Sequence, residues 1–446
     1  MPNKVAFNED YPDITESNKL YARALPIMTP VTQTLAKGPG QYVNGVAPKY
    51  LRSGKGSHVW DVDGNEYLDY NMAIGPLSLG YAYPAVDEAI ITQLKDGITF
   101  SMMHELEVEL AELVHQVIPN AESVRISKTG ADVTSAAIRV ARAYTGRTKI
   151  LCCGYHGWHD WYIAVTSRSS GIPEAVKELS STFEYNDLES VKNALDADVA
   201  CVILEPFVFE APKNNFLQEL KALCEANGTL LIFDEMWTGF RIAVGGAQEY
   251  FGVKADLACY SKAFANGMPV SLLTGRKDIM ELFKEEVFFF TTFGGEALSL
   301  AAAVTTIKEM IAKKVPAYLA RKGKVLKDGY NALAEELGIA HYTRCTGYDC
   351  RSLVSFDASA GNPLELKSFV QQELIKRGIL WSGFHNMSFS HTDEDVEYTL
   401  KAYREVLGLL KEAVARQEVA ANLRGTPVEA VFRKVSNFNM KPMVKA

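Results

Sequence analysis

From about residue 80 to residue 310 the chain alternates short apolar runs with helix-patterned stretches, and this alternation constrains the fold more than any other feature. The strand candidates lie at 123–128, 149–155, 199–206, 229–236, 257–261 and 271–276. Val202-Ile203-Leu204 and Leu230-Leu231-Ile232-Phe233 are apolar on both parities, as strands covered on both faces must be. Residues 133–142 and 217–225 read as helices between them. Strand and helix in alternation predict an α/β domain around a mostly parallel sheet.

The flanking segments read differently. Residues 1–75 form an arm, interrupted by Pro26, Pro30, Pro39 and Pro48, and a hairpin around Asp63-Gly64-Asn65. The large domain is expected at 76–315. Residues 316–446 give helices at 318–337, 363–377 and 393–409 with strands near 352–356, the content of a smaller α+β domain. The tail from 417 reads as peripheral.

Among 446 residues, acids outnumber Lys plus Arg by 54 to 46 and no basic block stands out, so neither nucleic acid nor an anionic membrane is an expected partner. Seven scattered cysteines are no disulfide framework. With neither a secretory leader nor an apolar run near the ~20 residues that span a bilayer, the protein is expected in the cytoplasm.

Several common sites are absent. Gly54-Lys55-Gly56 lacks the preceding glycine and the Ser or Thr of a P-loop, and the same stretch lacks the third glycine of a dinucleotide fingerprint. His156 and His159 have no further cluster of ligand spacing, so no metal is expected. Cys345 and Cys350 read as buried thiols in a loop.

Four features carry chemistry. The buried run ending in Asp234-Glu235 places a carboxylate at a strand's C-terminal end, where α/β proteins bind ligands, although such an acid can also cap a helix. A second run ends in Ser261-Lys262, and a lysine beside that acid is a candidate amine nucleophile. Thr129-Gly130-Ala131-Asp132 opens a helix whose dipole, roughly half a positive charge, suits a phosphate. Tyr155-His156-Gly157 leaves a strand end with an aromatic that either stacks on a planar ligand or simply packs. Together they match pyridoxal 5′-phosphate: lysine for its carbonyl carbon, acid for its ring nitrogen, a cup for the phosphate, an aromatic for the ring.

At this point the sequence resembles the class-III pyridoxal-phosphate aminotransferases, and within them the glutamate-1-semialdehyde 2,1-aminomutase branch. The motifs run in the family's order from about Pro48 to Leu409: Asp61-Val62-Asp63-Gly64-Asn65-Glu66-Tyr67-Leu68-Asp69, Thr129-Gly130-Ala131-Asp132, Tyr155-His156-Gly157, Glu205-Pro206, Asp234-Glu235-Met236-Trp237-Thr238-Gly239-Phe240-Arg241, Ser261-Lys262 and Thr292-Phe293-Gly294-Gly295. The resemblance implies a fold-type I homodimer, with a large domain around a seven-stranded sheet and a small domain built from both chain ends. It makes Lys262 and Asp234 the catalytic pair and places Thr129, Gly130 and Ala131 at the phosphate. Tyr155 falls on one ring face, Met236 on the other, and Thr292 reaches the neighbouring subunit's phosphate.

The departures bear on the substrate. No arginine stands between Ala24 and Leu51, where the aminomutases bind a carboxylate. Their Ser-x-Phe-Glu reads Ser382-Gly383-Phe384-His385, the asparagine after Glu-Pro reads Glu210, and Gly-Asn-Pro reads Gly295-Glu296-Ala297. Glu210 and His385 are therefore candidate substrate residues. The expected reaction is transamination from an amino-acid donor, glutamate, to a small oxo acceptor such as an oxo-sugar. The alternatives are intramolecular amine migration of the aminomutase type and a non-catalytic, ligand-binding descendant.

Overall fold

The computed structural model describes residues 2–207 and 209–429. Packing divides the described residues into two units, one formed by residues up to Tyr83 together with 317–429, the other by Pro84–Pro316.

The second unit is built on seven strands: β1 (Ser123–Ser127), β2 (Lys149–Cys153), β3 (Ser180–Thr182), β4 (Val199–Leu204), β5 (Leu230–Asp234), β6 (Leu257–Tyr260) and β7 (Ser271–Gly275). Their order is β1-β7-β6-β5-β4-β2-β3. Only β7 runs against its neighbours, pairing antiparallel with both β1 and β6; the other ladders are parallel. Every residue of β4 and β5 is buried, as their unbroken apolar runs require. β3 escapes sequence reading because it is a three-residue edge strand, Ser180-Ser181-Thr182, without an apolar run.

Because β7 is reversed between β1 and β6, β1 ends on the same side as β6: Ser127 faces Ser271 and Tyr260 faces Leu272. The C-terminal ends of β1, β2, β4, β5 and β6 therefore share one edge of the sheet. Loops leaving that edge carry Thr129, Tyr155, Glu205, Asp234 and Lys262.

The first unit carries a sheet of Leu51–Lys55, His58–Asp61, Glu66–Asp69 and Ile379–Leu380, and a second of Thr343–Tyr348, Arg351–Phe356 and Phe384–Asn386. The hairpin at Asp63-Gly64-Asn65 closes on Asp61, whose Oδ1 accepts from the amides of Asp63 (3.0 Å) and Asn65 (2.8 Å), while Gly64 takes φ +90°. This unit extends past residue 75 because Gly56 and Tyr81 form an isolated bridge and Ser390 Oγ donates to the Leu79 carbonyl at 2.7 Å. Cys345 lies in a strand and Cys350 in the following turn, both buried. Residues 417–429 are not peripheral. Thr426 pairs with Asn44, the Val428 amide donates to Ser368 Oγ at 2.9 Å, and Val428 packs in a small core with Val43 and Val46. The rest of the tail, from 430, lies outside the described residues.

Among the described residues no helix is long and apolar enough to cross a membrane, and all seven cysteines are free and buried.

Two buried histidines in the first unit make its stability depend on acidity. Burial pushes His385 down to about 3 and His391 down to about 4. Below the ordinary histidine value of about 6.5 the unfolded chain binds protons that the folded rings refuse, so stability is lost as pH falls, by about 2 kcal/mol per ring at pH 5. The urea midpoint is expected to drop between pH 7 and pH 5, and His385→Gln to drop less. Parallel losses in both proteins would contradict this assignment.

Candidate active site

Asp234 closes β5 with no exposed surface. Its Oδ1 accepts from the Met236 amide at 3.0 Å and its Oδ2 lies 2.7 Å from His156 Nδ1. The other imidazole nitrogen, Nε2, sits 3.1 Å from the Cys153 carbonyl, a partner that only an N–H can satisfy. His156 thus ties the end of β2 to the end of β5 and fixes which way the carboxylate faces. In the sequence His156 stands inside the Tyr155-His156-Gly157 motif, where Tyr155 is the expected functional residue and the imidazole carries no visible role. The signal is a histidine three residues past the end of a buried strand.

The neighbouring acid has a different task. Successive strand-end side chains point apart, and Glu235 accepts from the amides of Ala247 (2.8 Å) and Gln248 (3.0 Å) and from the Thr238 hydroxyl. Burial pushes Glu235 up to about 7 against those hydrogen bonds. It caps the helix Gly246–Phe251 and leaves Asp234 as the carboxylate facing His156.

Lys262 follows β6, whose Cys259 stands in register with Asp234. It takes the left-handed region at φ +58°, a strained setting for a residue with a side chain, and opens the short helix Lys262–Ala265. The preceding Ser261 Oγ donates to the Val270 carbonyl at 2.8 Å, which pins the turn.

Thr129 is the N-cap of the helix Gly130–Thr145. Its Oγ1 accepts from the Asp132 amide at 3.2 Å, and Asp132 Oδ2 accepts from the Thr129 amide at 2.8 Å. The Thr129 hydroxyl keeps its proton to donate, and the first-turn amides have no acceptor within the helix. Close approach packs the surrounding loops. A Cβ on Gly130 would stand 2.7 Å from Met236 Sδ, and one on Gly157, at φ +105°, would stand 2.8 Å from Ala131 Cβ. Glu205 joins two of these loops, accepting from the Tyr155 amide at 2.8 Å and from Trp237 Nε1 at 3.1 Å.

Tyr155 is 48% exposed with its ring edge-on to Tyr162. Thr292 is exposed on the segment before the helix Ala297–Ala312. Glu210 is exposed and paired with Lys213 at 3.0 Å. His385, in the other unit, has no exposed surface; its Nε2 lies 2.7 Å from Tyr403 Oη and its Nδ1 2.9 Å from Ser352 Oγ. Among the described residues no three His, Cys, Asp or Glu side chains gather as metal ligands would.

The edge therefore presents a buried, oriented carboxylate, an amine on the adjacent strand, a capped helix N-terminus with a hydroxyl, and an exposed aromatic. That donor set fits pyridoxal 5′-phosphate: anion at the helix start, protonated ring nitrogen at Asp234, carbonyl carbon at Lys262.

Comparison with known proteins agrees. The class-III aminotransferase family profile matches residues 43–390. A 3-aminobutyryl-CoA aminotransferase of Cloacimonas acidaminovorans is 37% identical over 387 residues, 84% of this chain and 92% of the relative. A glutamate-1-semialdehyde 2,1-aminomutase of an Exiguobacterium species is 34% identical over 430 residues, 89% of this chain and 98% of the relative. Among solved structures, the PLP-containing FumI protein of Sphingopyxis sp. MTA144 superposes with a TM-score of 0.83 at 28% identity, covering 90% of this chain and 98% of FumI. An omega-transaminase from Sphaerobacter thermophilus gives 0.80 at 26% identity, covering 89% and 98%.

The His156–Asp234 contact can be tested without cofactor. His156→Phe keeps a ring to stack on Trp161 but removes both nitrogens, leaving the Asp234 charge buried without its imidazole. Breaking such a pair typically costs about 3–5 kcal/mol. Denaturant unfolding of the cofactor-free variant is expected to show a loss of that order, and a variant as stable as its parent would remove the role assigned to the ring.

Proposed function

The chain belongs to the class-III aminotransferases, with pyridoxal 5′-phosphate as cofactor, and within that family we propose that it moves an amino group from glutamate to an oxo acceptor lacking a free carboxylate. The observation that carries the reaction type is that Asp234 and Lys262 leave neighbouring parallel strands at one sheet edge. The observation behind the acceptor is the missing arginine between Ala24 and Leu51. An oxo-sugar fits this description. So does an oxoacyl thioester, whose carboxyl is masked, and the similarity to a 3-aminobutyryl-CoA aminotransferase supports that class.

When bound, the cofactor supplies an aldehyde for the amine and a ring that accepts electrons. Lys262 Nζ would hold the cofactor's carbonyl carbon and, once released by the donor amine, would serve as the base that takes a proton from the donor carbon and returns it. Asp234 would keep the ring nitrogen protonated through a buried, charge-assisted hydrogen bond. Thr129 and the amides of Gly130 and Ala131 would hold the phosphate, and Tyr155 and Met236 would cover the ring.

A homodimer completes this proposal. In the large unit Phe288, Phe293, Met102, Met103 and Trp158 are each more than half exposed, apolar side chains that a second copy would cover, and Thr292 is carried beside Phe293. Free, buried cysteines support a reducing, cytoplasmic setting. Intramolecular amine migration is the second reading, favoured by similarity to an aminomutase along 98% of that enzyme's length.

Lys262→Ala is expected to lose the near-visible absorbance of the bound cofactor together with essentially all turnover; full activity in this variant would refute the assignment. Converting the enzyme to its amine-loaded form and offering oxo-sugars, oxoacyl thioesters and keto acids should restore that absorbance with an acceptor lacking a carboxylate. Activity on a single amino-aldehyde without any added donor would decide for the aminomutase. Light scattering is expected to return a dimer at micromolar concentration, and a monomer there would remove the shared-site proposal.

A further inference from the structure

Glu296 stands where the resembling family has the asparagine of Gly-Asn-Pro, and the structure gives it two partners at once. Its Oε1 accepts from the Leu298 amide at 2.6 Å, capping the helix Ala297–Ala312. Its Oε2 lies 2.8 Å from Lys128 Nζ and 2.6 Å from Ser299 Oγ, and Lys128 Nζ also reaches Ser299 Oγ at 3.1 Å. The two side chains are only 17% and 12% exposed. Burial alone would raise Glu296, but Lys128 and Ser299 outweigh it and hold the carboxyl below its ordinary value. A shielded ion pair with every oxygen used is a rigid joint rather than a surface contact.

The joint connects two loops. Lys128 directly precedes Thr129, and Ser127 Oγ (3.1 Å) and the Thr129 amide (2.8 Å) both bond to Asp132 Oδ2, so moving Lys128 moves the start of the phosphate helix. On the other side the Glu296 amide donates to the Phe293 carbonyl and the Gly294 amide to that of Thr291, both at 3.2 Å, which closes the 291–295 loop that carries Thr292. The pairing also occupies the ammonium. A free lysine beside the cup would be drawn to any anion held there, whereas one engaged by Glu296 leaves the phosphate to the amides and the Thr129 hydroxyl.

We propose that Lys128 and Glu296 form a positioning pair that aligns the phosphate cup and so sets how tightly the phosphate end of the cofactor is held. The proposal rests on Thr129, Gly130 and Ala131 being that cup. The test compares binding of pyridoxal 5′-phosphate and of pyridoxal, which lacks the phosphate, to the cofactor-stripped full-length protein. Lys128→Met is expected to weaken the phosphorylated ligand by about tenfold while changing pyridoxal less than twofold, and Lys128→Arg to restore most of the loss. Unchanged affinity for the phosphorylated ligand in Lys128→Met, or an equal loss for both ligands, overturns the pair's role. Should Lys128→Met fail to fold, Glu296→Asp keeps the cap and the charge but shortens the reach, and the same selective loss is expected; an unselective one overturns the proposal. Equal affinity of the parent protein for both ligands would instead overturn the cup assignment, and the pair's role with it.

Discussion

A carboxylate buried at the end of a core strand is expensive unless something answers it, and the contact between Asp234 and His156 answers it. Much else follows from that requirement. The imidazole must arrive from β2, two places away in the sheet, so β2 and β5 have to end level; the parallel register through β4 makes them do so. The ring's far nitrogen needs an acceptor, and the last carbonyl of β2 provides it. The acid is thereby oriented before any cofactor arrives, at a cost met by folding rather than by binding.

The same economy shapes the loops. Gly130 and Gly157 have no side chain because Met236 and Ala131 occupy the space one would fill, and Gly157 also sits at a backbone angle that suits glycine alone. Three loops that are remote in sequence consequently touch. Glu205, on a fourth loop, ties two of them together, one oxygen to each. The site is a small set of strand ends held at fixed separations, on which an amine at 262 and an acid at 234 are carried in register.

Legibility in the sequence followed how local each cause was. Six of the seven central strands are legible in the sequence, most plainly β4 and β5, because an apolar run covered on both faces is a property of the run itself. β3 was not, since its strand character comes from its neighbour β2. Asp234 and Lys262 could be read because each ends such a run. The division of labour between Asp234 and Glu235 could not, because it depends on Gly246 and its following amides, a dozen residues away. His156 reads as one half of an unpromising metal pair until β2 and β5, on either side of β4, are seen to end level. The tail at 417–429 reads as peripheral because Val428, between Pro427 and Glu429, belongs to no periodic apolar pattern, and its partners Val43 and Val46 lie at the opposite end of the chain.

That last pairing orders events in time. Among the described residues the unit spanning Pro84–Pro316 is one stretch of sequence, and it has all its described strands once residue 275 has been made. The small core around Val43 has to wait for Val428, which at ~5–20 residues per second on the ribosome is a delay of tens of seconds or so. Throughout that interval the amino-terminal arm is made but unfinished, its valines open to whatever else is nearby. The nascent chain is thus most in need of a chaperone at its oldest end, and only until its last stretch emerges.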